Sequence, residues 1–149
     1  MLDAYLQWRT ALNLVVRFGD ESCAKTLATR PEPVRWLVAM SVIESQVFNG
    51  GFCAIYYNFC FDFLPDALAG YRGIGAHRQA EVLQRVMDSV PAERWNGPNA
   101  AWPYEYPMPD LTDEQLDSLE REWHALNEGS TDELKAQFVV SRPDIFNVA

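Results

Sequence analysis

The side chains best able to do chemistry in this sequence are carboxylates, and the largest group of them lies near the C-terminal end. Asp113, Glu114, Asp117, Glu120 and Glu128 fall in or beside one stretch of helical periodicity, and Asp132 and Glu133 follow shortly after. On a helical wheel Asp113, Asp117, Glu120 and Glu128 come to one side, with Glu114 beside them, opposite Leu119 and Trp123. Carboxylates at i and i+4 stand about 6 Å apart along a helix axis. That is the same order as the spacing of charge along a DNA strand, about 3.4 Å of axis per phosphate. A fixed row of this kind can occupy a basic groove shaped for phosphates. The same acids also suit a helix start, where they complement the macrodipole, and a charged outer face that keeps a bundle in solution.

Glu44 is the other carboxylate with a notable setting. It falls inside the arc of a helix occupied by Trp36, Leu37, Met40, Ile43, Val47 and Phe48. There a carboxylate is partly desolvated, and its protonated form is favoured unless a partner holds the charge. Such a group is a catalytic candidate, and an enzyme centred on Glu44, Asn49 and Asn58 would need a polar pocket there. General acid–base work usually takes a second titratable group. A structural role answers the same placement, with Glu44 accepting hydrogen bonds from an arginine or from backbone N–H groups near Gly50 and Gly51.

Other chemistry finds little support. His77, near a helix start, and His124, on a helix, read as surface residues. Cys23, Cys53 and Cys60 are odd in number and form no CxxC, so neither a disulfide framework nor a zinc site is expected. Cys53 and Cys60 would lie about 10 Å apart along one helix, too far to bridge. No Gly-rich phosphate loop follows a strand pattern, and G-x-S-x-G is absent. The expectation is no catalytic residue, no cofactor and no metal.

These side chains must be carried by helices, because apolar residues recur at helical spacing throughout. Leu2, Tyr5, Leu6, Leu12 and Val16 suit a first helix ending near Gly19. A short second one holds Cys23, Ala24 and Leu27 and stops before Pro31. Pro33 favours initiation of a helix from Val34 to Phe48 that is apolar nearly all round and belongs at the centre of a bundle. Asn49-Gly50-Gly51-Phe52 then reads as a break between two helices, its glycines taking backbone angles closed to other residues. Phe52, Ile55, Tyr56, Phe59 and Phe63 make a stripe on the next helix. Pro65 opens a short helical turn to Leu68. The Gly70, Gly73 and Gly75 cluster leads to a helix with Leu83, Val86, Met87 and Val90 inward.

From Pro91 to Pro109 the pattern changes to five prolines with Trp95, Trp102, Tyr104 and Tyr106 between them. A connection this long is uncommon; it either covers the bundle or offers aromatic anchors to a partner. A helix over about 113–127 follows, with Thr112 and Gln115 matching a capping box and Leu116, Leu119, Trp123 and Leu126 inward. Ser130 or Thr131 caps a last short helix with Leu134 and Phe138. The fold expected is an all-α, single-domain irregular bundle of six to eight helices over 1–149, with acidic C-terminal helices in 110–149 packed on core helices in 1–90.

Composition bounds the partners. Hydrophobic residues make up 48% of the 149 and charged residues 22%, the balance of a globular domain. The net charge is −9, and between Pro109 and Ala149 ten acids face three bases, which leaves −7 in that stretch. Direct binding of nucleic acid or an anionic membrane needs a basic surface and is disfavoured. No run approaches the roughly 18 apolar residues of a membrane span, and Met1-Leu2-Asp3 does not open like a secretory signal. A cytoplasmic location is expected.

From Gln46-Val47-Phe48-Asn49-Gly50-Gly51-Phe52 through Tyr56-Tyr57-Asn58, and again at Ile74-Gly75-Ala76, the sequence resembles the DNA-mimic protein family, small acidic helical proteins of bacteria. The Asn-Gly-Gly-Phe turn followed by aromatics and an asparagine carries the resemblance, which covers roughly 3–90. Gln46, Phe48 and Ala54 depart from it, standing where an acid, a second asparagine and a polar residue are usual. The resemblance implies mimicry of double-stranded DNA, with surface carboxylates standing in for phosphates and sequestering a DNA-binding protein. The expectation is thus a non-enzymatic protein that binds a basic partner through Asp113, Glu114, Asp117, Glu120, Glu128, Asp132 and Glu133. The alternative is an immunity-type or regulatory protein that occludes a toxin or enzyme through Trp95 and Trp102. An enzyme centred on Glu44 comes third.

Overall fold

Two prolines set where the central helix begins. Pro31 occupies the cap position and Pro33 the first turn, where a missing N–H leaves no hydrogen bond unmade. In the computed structural model, which describes residues 3–7, 27–91, 108–127 and 130–146, this helix α1 spans Glu32–Tyr57. Leu37, Val38, Met40, Val42, Ile43 and Val47 are all buried, although Phe48 is 81% exposed. By length and composition alone α1 is long and apolar enough to cross a bilayer, which corrects the expectation that no such stretch exists. Its apolar side chains are turned instead into the bundle.

The Asn49–Phe52 stretch kinks α1 rather than ending it. Gly50 (φ −160°, ψ 22°) and Gly51 (φ 73°, ψ −175°) leave helical geometry, and the helix resumes to Tyr57. Phe52, Ile55 and Tyr56 are buried, as their spacing requires. The stripe stops there. The Cys60 N–H reaches the Ile55 carbonyl at 2.8 Å and the Phe59 N–H reaches that of Tyr56 at 3.2 Å, a Schellman cap with Phe59 in the left-handed region at φ 56°. Phe59 and Phe63 therefore lie beyond the helix, Phe63 in a 3-10 turn over Phe61–Phe63.

Helix α2 spans Leu64–Gly73 and runs past the expected end at Leu68. Gly70 and Gly73 are packing positions inside it. A Cβ on Gly70 would stand 2.9 Å from Cβ of Trp36, and one on Gly73 would overlap the Trp36 ring. The turn falls on Gly75, at φ +85°, in a second Schellman cap closed by the Ala76 N–H on the Tyr71 carbonyl at 2.8 Å. Helix α3 spans His77–Asp88 and buries Val82, Leu83 and Val86.

The Asp110 N–H donates to the Ser89 carbonyl at 2.8 Å, which ties the chain before the Pro/aromatic connection to the chain after it. Residues 92–107 of that connection, with Trp95, Trp102, Tyr104 and Tyr106, lie outside the described residues, as do Cys23, Glu128 and most of the two helices expected between Leu2 and Pro31. Of the first of these helices, residues 3–7 are described and helical, with Tyr5 buried. Helix α4 spans Asp113–Asn127, α5 Ser130–Val140 and α6 Pro143–Phe146. The capping box forms at the start of α4: the Thr112 N–H donates to Gln115 Oε1 at 2.9 Å, and the Gln115 N–H to Thr112 Oγ1 at 3.2 Å. Helix α1 packs against α2, α4 and α6, and α4 bridges α3 and α5. Every described element other than the caps and turns is helical, and the fold is all-α.

Candidate partner-binding surface

The acidic helix α4 is fixed to the core from one side. Trp123, 2% exposed, sets its ring edge-on between Phe52 at 5.6 Å and Tyr71 at 5.3 Å. Leu116, Leu119 and Leu126 pack partly buried beside it. Asp113, Glu114 and Asp117 stand exposed over the first turns. Arg121, also exposed, follows Asp117 by one turn.

Glu120 does not stand with them. It is half-buried, and its Oε1 accepts a 2.9 Å hydrogen bond from the Phe52 N–H at the kink of α1. The wheel carried the signal: at about 100° per residue Glu120 lies about 60° from Trp123 and 40° from Leu116, on the flank of the buried stripe. Glu122 is ion-paired with Arg85 at 2.7 Å. Asp132 and Glu133 open α5, at the far end of a helix about 22 Å long; Glu133 is exposed and Asp132 half-buried. The structure thus groups Asp113, Glu114 and Asp117, sets Glu133 apart from them, and turns Glu120 inward.

Two polar networks that the sequence did not announce hold the acidic helices in place. Gln79, buried on α3, donates through Nε2 to the Leu126 carbonyl and to Thr131 Oγ1, both at 3.1 Å. The Thr131 hydroxyl donates to Asn127 Oδ1 at 2.7 Å, and Asn127 Nδ2 to the Trp123 carbonyl at 2.8 Å. The α4–α5 corner is tied to α3 in this way.

The second network contains Glu44. Its partners are neither an arginine nor the glycine backbone, as expected, but Lys135 and Tyr71. Lys135 Nζ donates to both carboxylate oxygens, at 2.6 and 2.5 Å, and the Tyr71 hydroxyl donates to Oε1 at 2.8 Å. The Lys135 side chain has no exposed surface and lies 5.9 Å from the centre of the Tyr5 ring. Burial acts to lower the Lys135 pKa, but the negative charge of Glu44, with Tyr5 and Asp132 adding to it, outweighs burial and leaves it above the ordinary lysine value. Burial first, and then Glu44, pushes the Tyr71 phenol well above its usual range.

The remaining candidates have ordinary settings. Asn58 Nδ2 donates to Gln46 Oε1 at 2.6 Å. Burial, with Glu120 and Asp113 nearby, raises the Cys53 thiol, and burial with Asp62 takes Cys60 to about 11. His77 and His124 are exposed. An open groove of about 560 Å³ between α2 and α3 is lined by Arg72, His77, Ala80, Glu81, Gln84 and Arg85, not by Glu44. Among the described residues no group of His, Cys, Asp or Glu is placed to hold a metal.

No curated protein and no solved structure matches the chain. A family model described as DMP19-like protein matches residues 28–142, so the likeness begins later than the 3–90 range read from the sequence and runs on past it to take in α4 and α5. The core helices, the kink at Gly50 and Gly51 and the acidic helix seated on it all fall within this match, and the chain belongs to the DMP19-like family, a family of DNA mimics.

Proposed function

We propose that this chain is a non-enzymatic DNA mimic, which presents the exposed carboxylates of α4 to the DNA site of a basic, DNA-binding protein in the cytoplasm. The observation that carries the reading is the setting of Asp113, Glu114 and Asp117, exposed on a helix that Trp123 holds to the core. Side chains on an anchored helix keep their spacing, so the partner meets a charge pattern that is already ordered. Family membership supports the same reading. The Glu44 carboxylate is taken up by Lys135 and Tyr71, which favours the structural account of that residue over the catalytic one. Glu133, exposed at the start of α5, stands apart from the α4 group and would meet the partner as a separate charge.

The test is capture of a partner from a native extract, followed by competition. Duplex DNA and rising salt should both displace it, because the partner's basic groove serves both ligands. Reversing Asp113 and Asp117 to lysine should weaken capture by about tenfold or more, with the free protein still folded and destabilised only by about 1 kcal/mol, the cost of a cation in the first turn of α4. A partner that is indifferent to duplex DNA and held at high salt would overturn mimicry and favour occlusion through the Pro/Trp-rich connection.

A further inference from the structure

We infer that Glu120 is the positioning residue of the acidic helix, and that the kink at Gly51 and Phe52 is the seat built to receive it. The inference rests on the reading of α4 as the partner-binding element. Within a regular helix the Phe52 N–H would bond to the carbonyl four residues back. The kink redirects it, and Glu120 Oε1 takes it up at 2.9 Å. Two independent features of Gly51 suit that contact. Its φ of +73° lies in the left-handed region that L side chains rarely adopt. A Cβ there would also fall inside the Glu120 carboxylate, 2.8 Å from Cδ and 3.0 Å from Oε2.

One turn further along α4, Trp123 packs edge-on against Phe52 at 5.6 Å. Residues 120 and 123 of one helix thus meet residues 51 and 52 of the other, one contact polar and directional, the other apolar. Two contacts one turn apart fix both the rotation of α4 about its axis and its position along it. Rotation matters here, because a shift of one residue turns a helix by about 100°. That would carry Asp113, Glu114 and Asp117 off the outer face. Glu120 therefore serves the acidic surface by aiming it rather than by belonging to it.

Three variants separate these roles. Glu120→Gln keeps a carbonyl oxygen for the Phe52 N–H and removes the charge. Glu120→Ala removes both, at the same net charge as the Gln variant. Asp117→Asn removes one charge from the outer face. In the free protein, Glu120→Ala should speed amide exchange at Phe52 about tenfold or more and alter the near-ultraviolet circular dichroism of Trp123. Glu120→Gln should restore both signals. In titrations with a nona-arginine peptide at low salt, Glu120→Gln should lose less affinity than Asp117→Asn, and Glu120→Ala should bind more weakly than Glu120→Gln.

Parental exchange at Phe52 in the Glu120→Ala variant would overturn the seat, whatever the peptide does. A Glu120→Gln loss as large as that of Asp117→Asn, with Glu120→Ala no worse, would return Glu120 to the outer array. If the parent fails to bind the peptide at all, the mimicry reading loses its support, while exchange and dichroism still decide whether Glu120 positions α4.

Discussion

Lys135 carries its charge into the interior with no exposed surface, and it is held there by the two oxygens of Glu44. A buried pair adds little net stability, but removing one partner strands the other charge at a cost of about 3–5 kcal/mol. Lys135→Met should therefore lower unfolding stability in urea by that order. Lys135→Met combined with Glu44→Gln should recover most of it, since Gln still accepts from the Tyr71 hydroxyl. The pH dependence follows from the directions of the shifts. Lys135 and Tyr71 both hold their protons more tightly folded than unfolded. Their contribution is complete below the ordinary values of about 10.5 and 10 and is lost as pH rises through the folded values. Stability should fall steeply above pH of about 10 in the parent and less steeply in the double variant. There Tyr71 is the one member of this network left to titrate, and the raised Cys53 and Cys60 thiols contribute equally to both proteins. Equal slopes in urea unfolding from pH 8 to 11 would show that the Lys135–Glu44 pair contributes nothing to alkaline sensitivity.

Glycines do two different jobs at the ends of the elements, and substitution tells them apart. Gly73 faces the Trp36 ring with no room for a Cβ, whereas Gly75 faces open space at φ +85°. Gly75→Ala should cost only the backbone strain, about 1–2 kcal/mol. Gly73→Ala must displace Trp36, which stacks on Phe138 at 6.2 Å. It should cost about 1–3 kcal/mol and also disturb α5, readable as faster amide exchange around Phe138. Periodicity made α4, α5 and the inward faces of α1 and α3 legible, and the Thr112–Gln115 capping box set the start of α4 to the residue. The ends of α1 and α2 were not legible. The α1 stripe continued in sequence through Phe59 and Phe63, but the Schellman cap at Phe59 interrupted it, and an aromatic in the left-handed region carries no local signature. Gly70 and Gly73 looked like a turn because a notch for a distant tryptophan cannot be seen without the tryptophan's position. At the candidate surface, Asp113, Glu114 and Asp117 were readable from the wheel. The inward turn of Glu120 and the burial of Lys135 depended on contacts 68 and 91 residues away in sequence.

At the scale of the whole molecule, the total of 21 acidic residues overstates the array of free carboxylates a partner meets. Glu120 is bonded to Phe52, Glu122 is paired with Arg85, and Asp132 lies close enough to act on the buried Lys135. What α4 offers is Asp113, Glu114 and Asp117 with Arg121 one turn beyond, a cation set into an anionic face. If that face meets the DNA site of a basic protein, Arg121 opposes binding. Two unit charges about 6 Å apart in water interact by about 0.7 kcal/mol, or about threefold in affinity. Arg121→Gln should thus tighten capture of the same partner about threefold at low salt, with the gain vanishing towards 1 M salt, where screening reaches about 3 Å. The direction is what discriminates, because most surface substitutions leave binding unchanged or weaken it. Tighter binding that salt erases places the partner's positive charge opposite this turn of α4. Weaker binding would mean that Arg121 donates to the partner directly, and the surface that α4 presents would then be read as a mixed polar contact instead of an imitation of a phosphate strand.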